Sequence, residues 1–169
     1  ESTGITFFPD SVNAIAEVYH NEPSEKNPQV PLVDGSGVYV SYIPAQKVLY
    51  AASYKGNELI MYEDSAASLD GKIALRPEGM TGDGLIYIEN GEVLSYMYKF
   101  KHHVIDADTA EFRLRTVDLD EMAFKTENVN AHIDFYDRKG QFKSNSGESF
   151  VQFPENQYIC YMDQFNWLM

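Results

Sequence analysis

The chain has 169 residues, enough to bury roughly 70% of its unfolded surface as one domain or two small ones. Asp and Glu number 26 against 13 Lys and Arg, and a net charge of −13 repels phosphate backbones and anionic membrane faces at long range, which argues against nucleic acid as a partner. Aromatics make up 14% of the chain, with 12 Tyr and 10 Phe, a bias toward pleated strands, and no apolar run approaches the ~20 residues that span a bilayer as a helix.

From the N-terminus, Val12, Ile15, Ala16 and Tyr19 have the spacing of a helical stripe behind an Asp10 or Ser11 cap, but Val12, Ala14, Ala16 and Val18 also alternate strictly. The strand reading is preferred, because a matching copy farther on is β-branched and aromatic. Asn21 to Pro31 holds three prolines without periodicity and reads as an exposed connector. The organisation is thus residues 1–31, a strand and its Pro-rich connector, and residues 32–169, a stacked-strand domain. Val38 to Tyr42 is a strand, Ile43 to Gln46 a connection, and Lys47 to Ala51 its partner, with Lys55-Gly56-Asn57 turning into Glu58 to Tyr62. Leu69 to Gly71 leads into Lys72 to Leu75; Pro77 to Gly79 and Thr81 to Gly84 break the chain, and Leu85 to Ile88 resumes it. Asn90-Gly91 predicts a type I′ hairpin, since both residues tolerate positive φ, and Asp137 to Gly140 predicts a turn with positive φ at the glycine.

Four stretches read as variants of one strand: Phe8 to Tyr19, Phe100 to Leu114, Phe124 to Tyr136 and Phe153 to Trp167. Val12-Asn13-Ala14 with Glu17 and Tyr19 returns as Val129-Asn130-Ala131 with Asp134 and Tyr136. The last three copies start 24 and 29 residues apart, the range in which a repeat is one supersecondary unit stacked on the next. The predicted fold is all-β, an elongated stacked-strand solenoid or open β-jelly roll built from short repeats. The chain begins at Glu1 rather than Met and stops in what reads as mid-strand, so we expect a processed or cut piece of a longer protein. Its Phe153 to Met169 segment is expected to be an edge that pairs with the parent chain or a protein partner.

Candidate chemistry is sparse. His102 with Asp106 and Asp108 would share a strand face, but His103 points away and a zinc site wants three convergent ligands. The acids Asp106, Asp108, Asp118, Asp120 and Glu121 lack the glycine-spaced loop of a calcium site. Glu58 with Glu63, or Asp134 with Glu148, are the kind of pair glycosidases use, and any acidic chain offers many such pairs. Ser146 to Ser149 is a turn rather than a nucleophile elbow, and Gly79-x-x-Gly82-x-Gly84 fits neither phosphate fingerprint. Cys160, the single cysteine, lies in an alternating run with no general base in view. The tyrosines Tyr39, Tyr42, Tyr50, Tyr87, Tyr96, Tyr98, Tyr136, Tyr158 and Tyr161 suit sugar stacking, and suit cross-strand packing better. The sequence therefore predicts no catalytic residue, no metal, no cofactor and no enzyme.

The run from Asn128 to Asn145, with Tyr136-Asp137, Lys139-Gly140 and Phe142, then Gly147 to Phe153, resembles the strand pattern of OstA-like envelope proteins of lipopolysaccharide transport. The segment from Gly79 to Leu114 is also similar to the repeats of very large, uncharacterised Gram-negative envelope proteins. The resemblance implies antiparallel strands stacked into an open, twisted jelly roll with an apolar interior for acyl chains. Phe100, Phe112, Phe124 and Ile133, with Phe135, Phe142 and Phe153, would line that interior, as they would line any solenoid core. It further implies a periplasmic or extracellular cell-envelope location. The functions expected are a non-catalytic structural or interaction domain first, a lipid or lipopolysaccharide carrier second and a carbohydrate-binding domain third.

Overall fold

A computed structural model describes residues 13–20, 30–116, 121–147 and 150–169. These residues are all-β: thirteen antiparallel strands in one sheet, two short 3-10 turns and, among the described residues, no α-helix. The strands are β1 (Asn13–His20), β2 (Val33–Ile43), β3 (Val48–Ala52), β4 (Leu59–Met61), β5 (Ala67–Arg76), β6 (Gly79–Ile88) and β7 (Gly91–Phe100), then β8 (Val104–Arg115), β9 (Met122–Asp134), β10 (Lys139–Ser144), β11 (Phe150–Phe153), β12 (Tyr158–Tyr161) and β13 (Gln164–Leu168). Asn13–His20 is thus a strand, not a helix. Phe8 and residues 21–29 of the connector lie outside the described residues.

The pairing follows chain order, and its irregularities line up. Register shifts interrupt β1 against β2 at Ala16/Val18, β6 against β7 at Gly82/Gly84, and β8 against β9 on both sides of Ala110, while one more, at Leu114/Arg115, lies at the rim. β3 and β4 pair in tandem against both β2 and β5, with Ser53 to Glu58 between them, and β9 hands over from β10 to β11 in the same way. Bulges bend the strands that carry them. Aligned across the sheet, they make a crease.

Contacts across the crease show that the sheet doubles over. Phe112 and Phe142 lie two strands apart and on opposite sides of the Asn128 bulge, so on a flat sheet they would be more than about 10 Å apart. Their ring centroids are 4.2 Å apart. One layer therefore holds β3, β10 and β13, the other β4, β11 and β12, and the longer strands run from the rim of one layer through the crease to the rim of the other. Counted this way the described chain makes ten crossings: β1, β2, β3 with β4, β5 to β9 singly, β10 with β11, and β12 with β13. The core sits between the layers and runs continuously from Val18 of β1 to Trp167 of β13.

Several turn expectations are corrected by this geometry. Thr81 to Gly84 does not break the chain: β6 continues through it, and Gly82 and Gly84 let the backbone bend against β5. At the Asn90-Gly91 hairpin the turn is Glu89-Asn90, with positive φ at Glu89 (50°), because Ile88 pairs Gly91. Asn90 instead donates its side-chain amide to the Arg115 carbonyl at 2.8 Å. In the Asp137 to Gly140 region the turn is 135–138, with positive φ at Arg138 (49°) and not at Gly140. Gly91 and Gly140 are small for another reason: the Trp167 indole lies between them, and a Cβ would come within 2.8 Å of it at Gly91 and 3.1 Å at Gly140. The repeats also differ from the expected rungs. Phe100 to Leu114 and Phe124 to Tyr136 are adjacent but antiparallel, whereas Phe153 to Trp167 is the end of β11, then β12, then most of β13.

Candidate functional site

Six of the seven predicted interior positions lie in or against the core between the layers, and the seventh, Phe153, lies at the rim. Phe100, Phe112, Ile133 and Phe142 are buried, and Phe124 and Phe135 are half-buried against the same core. Phe153 is half-buried at the rim, its ring 5.9 Å from Phe124. Two residues not singled out from the sequence complete the stack: Phe165, 4.9 Å from Phe142 at 13°, and Trp167, 5.2 Å from Phe112. The seam in this region is filled by side chains. The glycine spacing opposite Trp167 was a signal for it, but only the register says what faces those glycines.

At the crease, Tyr98 closes the inside of the bend. Its buried hydroxyl donates to the Val93 carbonyl at 2.6 Å and lies 3.3 Å from that of Gly84, and burial pushes its pKa far above the ordinary phenol value. At the opposite side the two rims meet in a cavity of about 590 Å³. Tyr62 staples them: its ring lies 4.2 Å from Phe135 and its hydroxyl donates to the Val104 carbonyl at 3.0 Å. Burial, reinforced by the Asp106 charge, raises its pKa well above the ordinary value, so it remains a donor. Tyr62 does this from φ 68°, ψ 170°, a backbone region that glycine alone enters readily, and Asp64 and Ser65 beside it also have positive φ. An Arg138–Glu89 ion pair joins the rims a little farther along.

The candidate ligating residues are not brought together. His102 and His103 are in the β7–β8 turn, not on a strand, with ring centroids 3.6 Å apart. Burial, and then the proximity of His103, holds His102 below its ordinary pKa, against an opposing pull from Glu63. Asp106 is engaged by Lys101 (2.6 Å) and by His132 (2.7 Å), its cross-strand partner, and Asp108 by Lys99. Among the described residues no group of three or more His, Cys, Asp or Glu is placed to hold a metal. Asp118, Asp120, Glu148 and Ser149 lie outside the described residues. Glu58 and Glu63 flank β4 at its crease and rim ends. Cys160 is half-buried on β12. The exposed tyrosines are dispersed, with Tyr96 at the crease, Tyr136 at a rim and Tyr158 and Tyr161 on β12.

No family model, curated protein or solved structure matches this chain.

The Asp106 cluster gives a pH prediction. Partial burial would raise its carboxyl, but the hydrogen bonds from Lys101 and His132 outweigh that and hold it below the ordinary 3.8. A depressed carboxylate pKa means a stabilising contribution that is complete above the unfolded-state value and is lost as pH falls through the folded one. Asp106→Asn should lower the melting temperature at pH 7 by no more than about 2 °C, since the groups are partly exposed, with the difference shrinking as pH falls below the ordinary carboxylate range. Melting curves of both proteins from pH 7 downward check it, and a gap that does not change with pH would assign the effect to packing.

Proposed function

We infer that this chain is a non-catalytic structural or interaction domain of a cell-envelope or surface protein, of the stacked-strand solenoid or open jelly-roll kind, working in the periplasm or outside the cell. The observation that carries the reading is a doubled antiparallel sheet whose seam is filled by its own rings while its end strands keep an open edge. β1 pairs only β2, β12 only β11 and β13 only β10 among the described residues. β12 exposes Tyr158, Ile159 and Tyr161, and β13 exposes Leu168. Unpaired apolar edges recruit further strands, so the partner is a protein chain or the continuation of the parent. Light scattering across concentration should show mass rising with concentration; a strictly monomeric species at every concentration would count against it.

A lipid or lipopolysaccharide carrier of OstA-like type is the second reading, supported by the strand pattern from Asn128 to Phe153. The filled stack of Phe112, Phe142, Phe165 and Trp167 favours the scaffold. Displacement of a fluorescent fatty acyl probe separates the two: we expect no saturable binding, and saturable binding lost on widening or filling the seam would make the carrier the better account. A sugar-binding domain is left with dispersed tyrosines and no row to stack on.

A further inference from the structure

Of the four arginines, three engage carboxylates: Arg113 and Arg115 that of Glu92, and Arg138 that of Glu89. Arg76 differs. At the end of β5 its guanidinium lies 3.3 Å from the Thr81 hydroxyl and 3.4 Å from that of Tyr50, with the Tyr50 ring beneath it at 6.0 Å, and among the described residues it has no carboxylate partner. Two long bonds to neutral hydroxyls leave most of a five-donor fork uncommitted. In a chain of net charge −13 an arginine so placed is conspicuous.

Arg76 overlooks a cavity of about 810 Å³ at the rim of the β3–β10–β13 layer, within the size range of small-molecule sites. Lys99 and Lys101 add two more cations, and His102 and His103 form part of its wall. Two carboxylates also line it. Asp134 is occupied as a turn cap, accepting from the Tyr136 and Asp137 amides at 2.9 and 3.1 Å, which leaves Glu78 as the one opposing charge without that duty. Lys101 is held by Asp106, whereas the Lys99–Asp108 pair at 3.2 Å is more than half exposed on both sides and is worth little against a better anion. The apolar lining comes from Phe100 and Val104, and Tyr136, 82% exposed, presents a ring at the entrance. The exposed carboxylates Asp70 and Glu127 lie at the crease, at the other end of the layer.

We propose that this cavity binds a small oxyanion carried on an aromatic or apolar group, of the aryl phosphate or aryl carboxylate class, with Arg76 as the anchor and Tyr136 as the stacking face. The guanidinium fork matches two oxygens of such an anion, and Lys99 turns to it from Asp108. The ring of the ligand lies against Tyr136 and Val104. The long-range field of the protein opposes polyanions, so the ligand is a small anion rather than a nucleic acid. The site does not depend on the scaffold reading, which concerns the end strands.

Calorimetric titration at low salt with phenyl phosphate, benzoate and inorganic phosphate tests it. Phenyl phosphate should bind saturably and about tenfold tighter than inorganic phosphate, the increment a stacked ring supplies. Arg76→Gln should weaken phenyl phosphate at least tenfold. Tyr136→Ala should bring it to the level of inorganic phosphate while leaving inorganic phosphate unchanged. Both side chains are exposed, so the variants should keep the wild-type melting temperature, and Lys125→Gln, in the other layer where β9 pairs β11, should bind as wild type. Absence of saturable binding, equal loss in Lys125→Gln, or full binding by Arg76→Gln overturns the proposal. So does adsorption to phosphatidylglycerol vesicles without any affinity for phenyl phosphate.

Discussion

Phe112→Ala should lower the unfolding free energy by about 4 kcal/mol, the middle of the range for a large ring removed from a packed interior. The Phe112 ring has no exposed surface and meets four others, Phe124, Phe142, Phe165 and Trp167, drawn from both layers. Removing it leaves a hole whose walls belong to different half-sheets, and neither can collapse without shifting its own ladder. Phe153→Ala is the comparison: that ring is half-buried at the rim and touches only Phe124 and Tyr158 among the aromatic contacts, so it should cost about 1 kcal/mol. Urea unfolding of both variants measures the difference. Equal losses would mean that the layers do not meet at Phe112 as described.

Gly84→Ala should cost about 3 kcal/mol, from two sources that a second glycine separates. Gly84 has φ +131°, where an L side chain is strained, and an added Cβ would collide with the Asp70 carbonyl and the Gly71 backbone of β5. Gly56, in the tight turn between β3 and β4, has φ +85° but nothing within 4 Å of the added carbon. Gly56→Ala therefore reports the conformational part alone, about 1 kcal/mol, and the excess at Gly84 reports the close approach of β5 and β6 in the crease. If the two substitutions cost the same, the bend is not held by backbone contact.

What the amino-acid pattern disclosed and what it hid divide along one physical line. Strand period is local, so the alternation of Val129, Ala131 and Ile133 already pointed the right side chains inward, and the turn expected at Lys55-Gly56-Asn57 is present, with positive φ at Lys55 and Gly56. Glycine is ambiguous, because a turn and a close approach ask for the same residue. Gly82 and Gly84 read as a break and Gly140 as a turn residue, whereas β5 and Trp167 are what require them. The Trp167 indole reaches Gly91 only after the sheet has doubled, and nothing within a window of a few residues encodes that. The site is hidden similarly: Arg76 and Lys99 are unremarkable in sequence, nothing there ties them to Tyr136, and only the hairpin order of β5 to β9 sets the three around one cavity.

The two interrupted crossings show where the chain can grow. Between Ala52 and Leu59 the strand leaves the sheet and makes a complete small turn, yet Tyr39 still meets Ala52 on one side and Val33 still meets Met61 on the other. A detour at the bend thus leaves the registers of both half-sheets intact. Extra length there adds mainly loop-closure entropy, about 0.6 kcal/mol for each doubling. The tip at Lys55-Gly56 is accordingly a permissive splice point for an epitope or reporter peptide, whereas the same insert within β5 or β8 would displace every facing side chain beyond it.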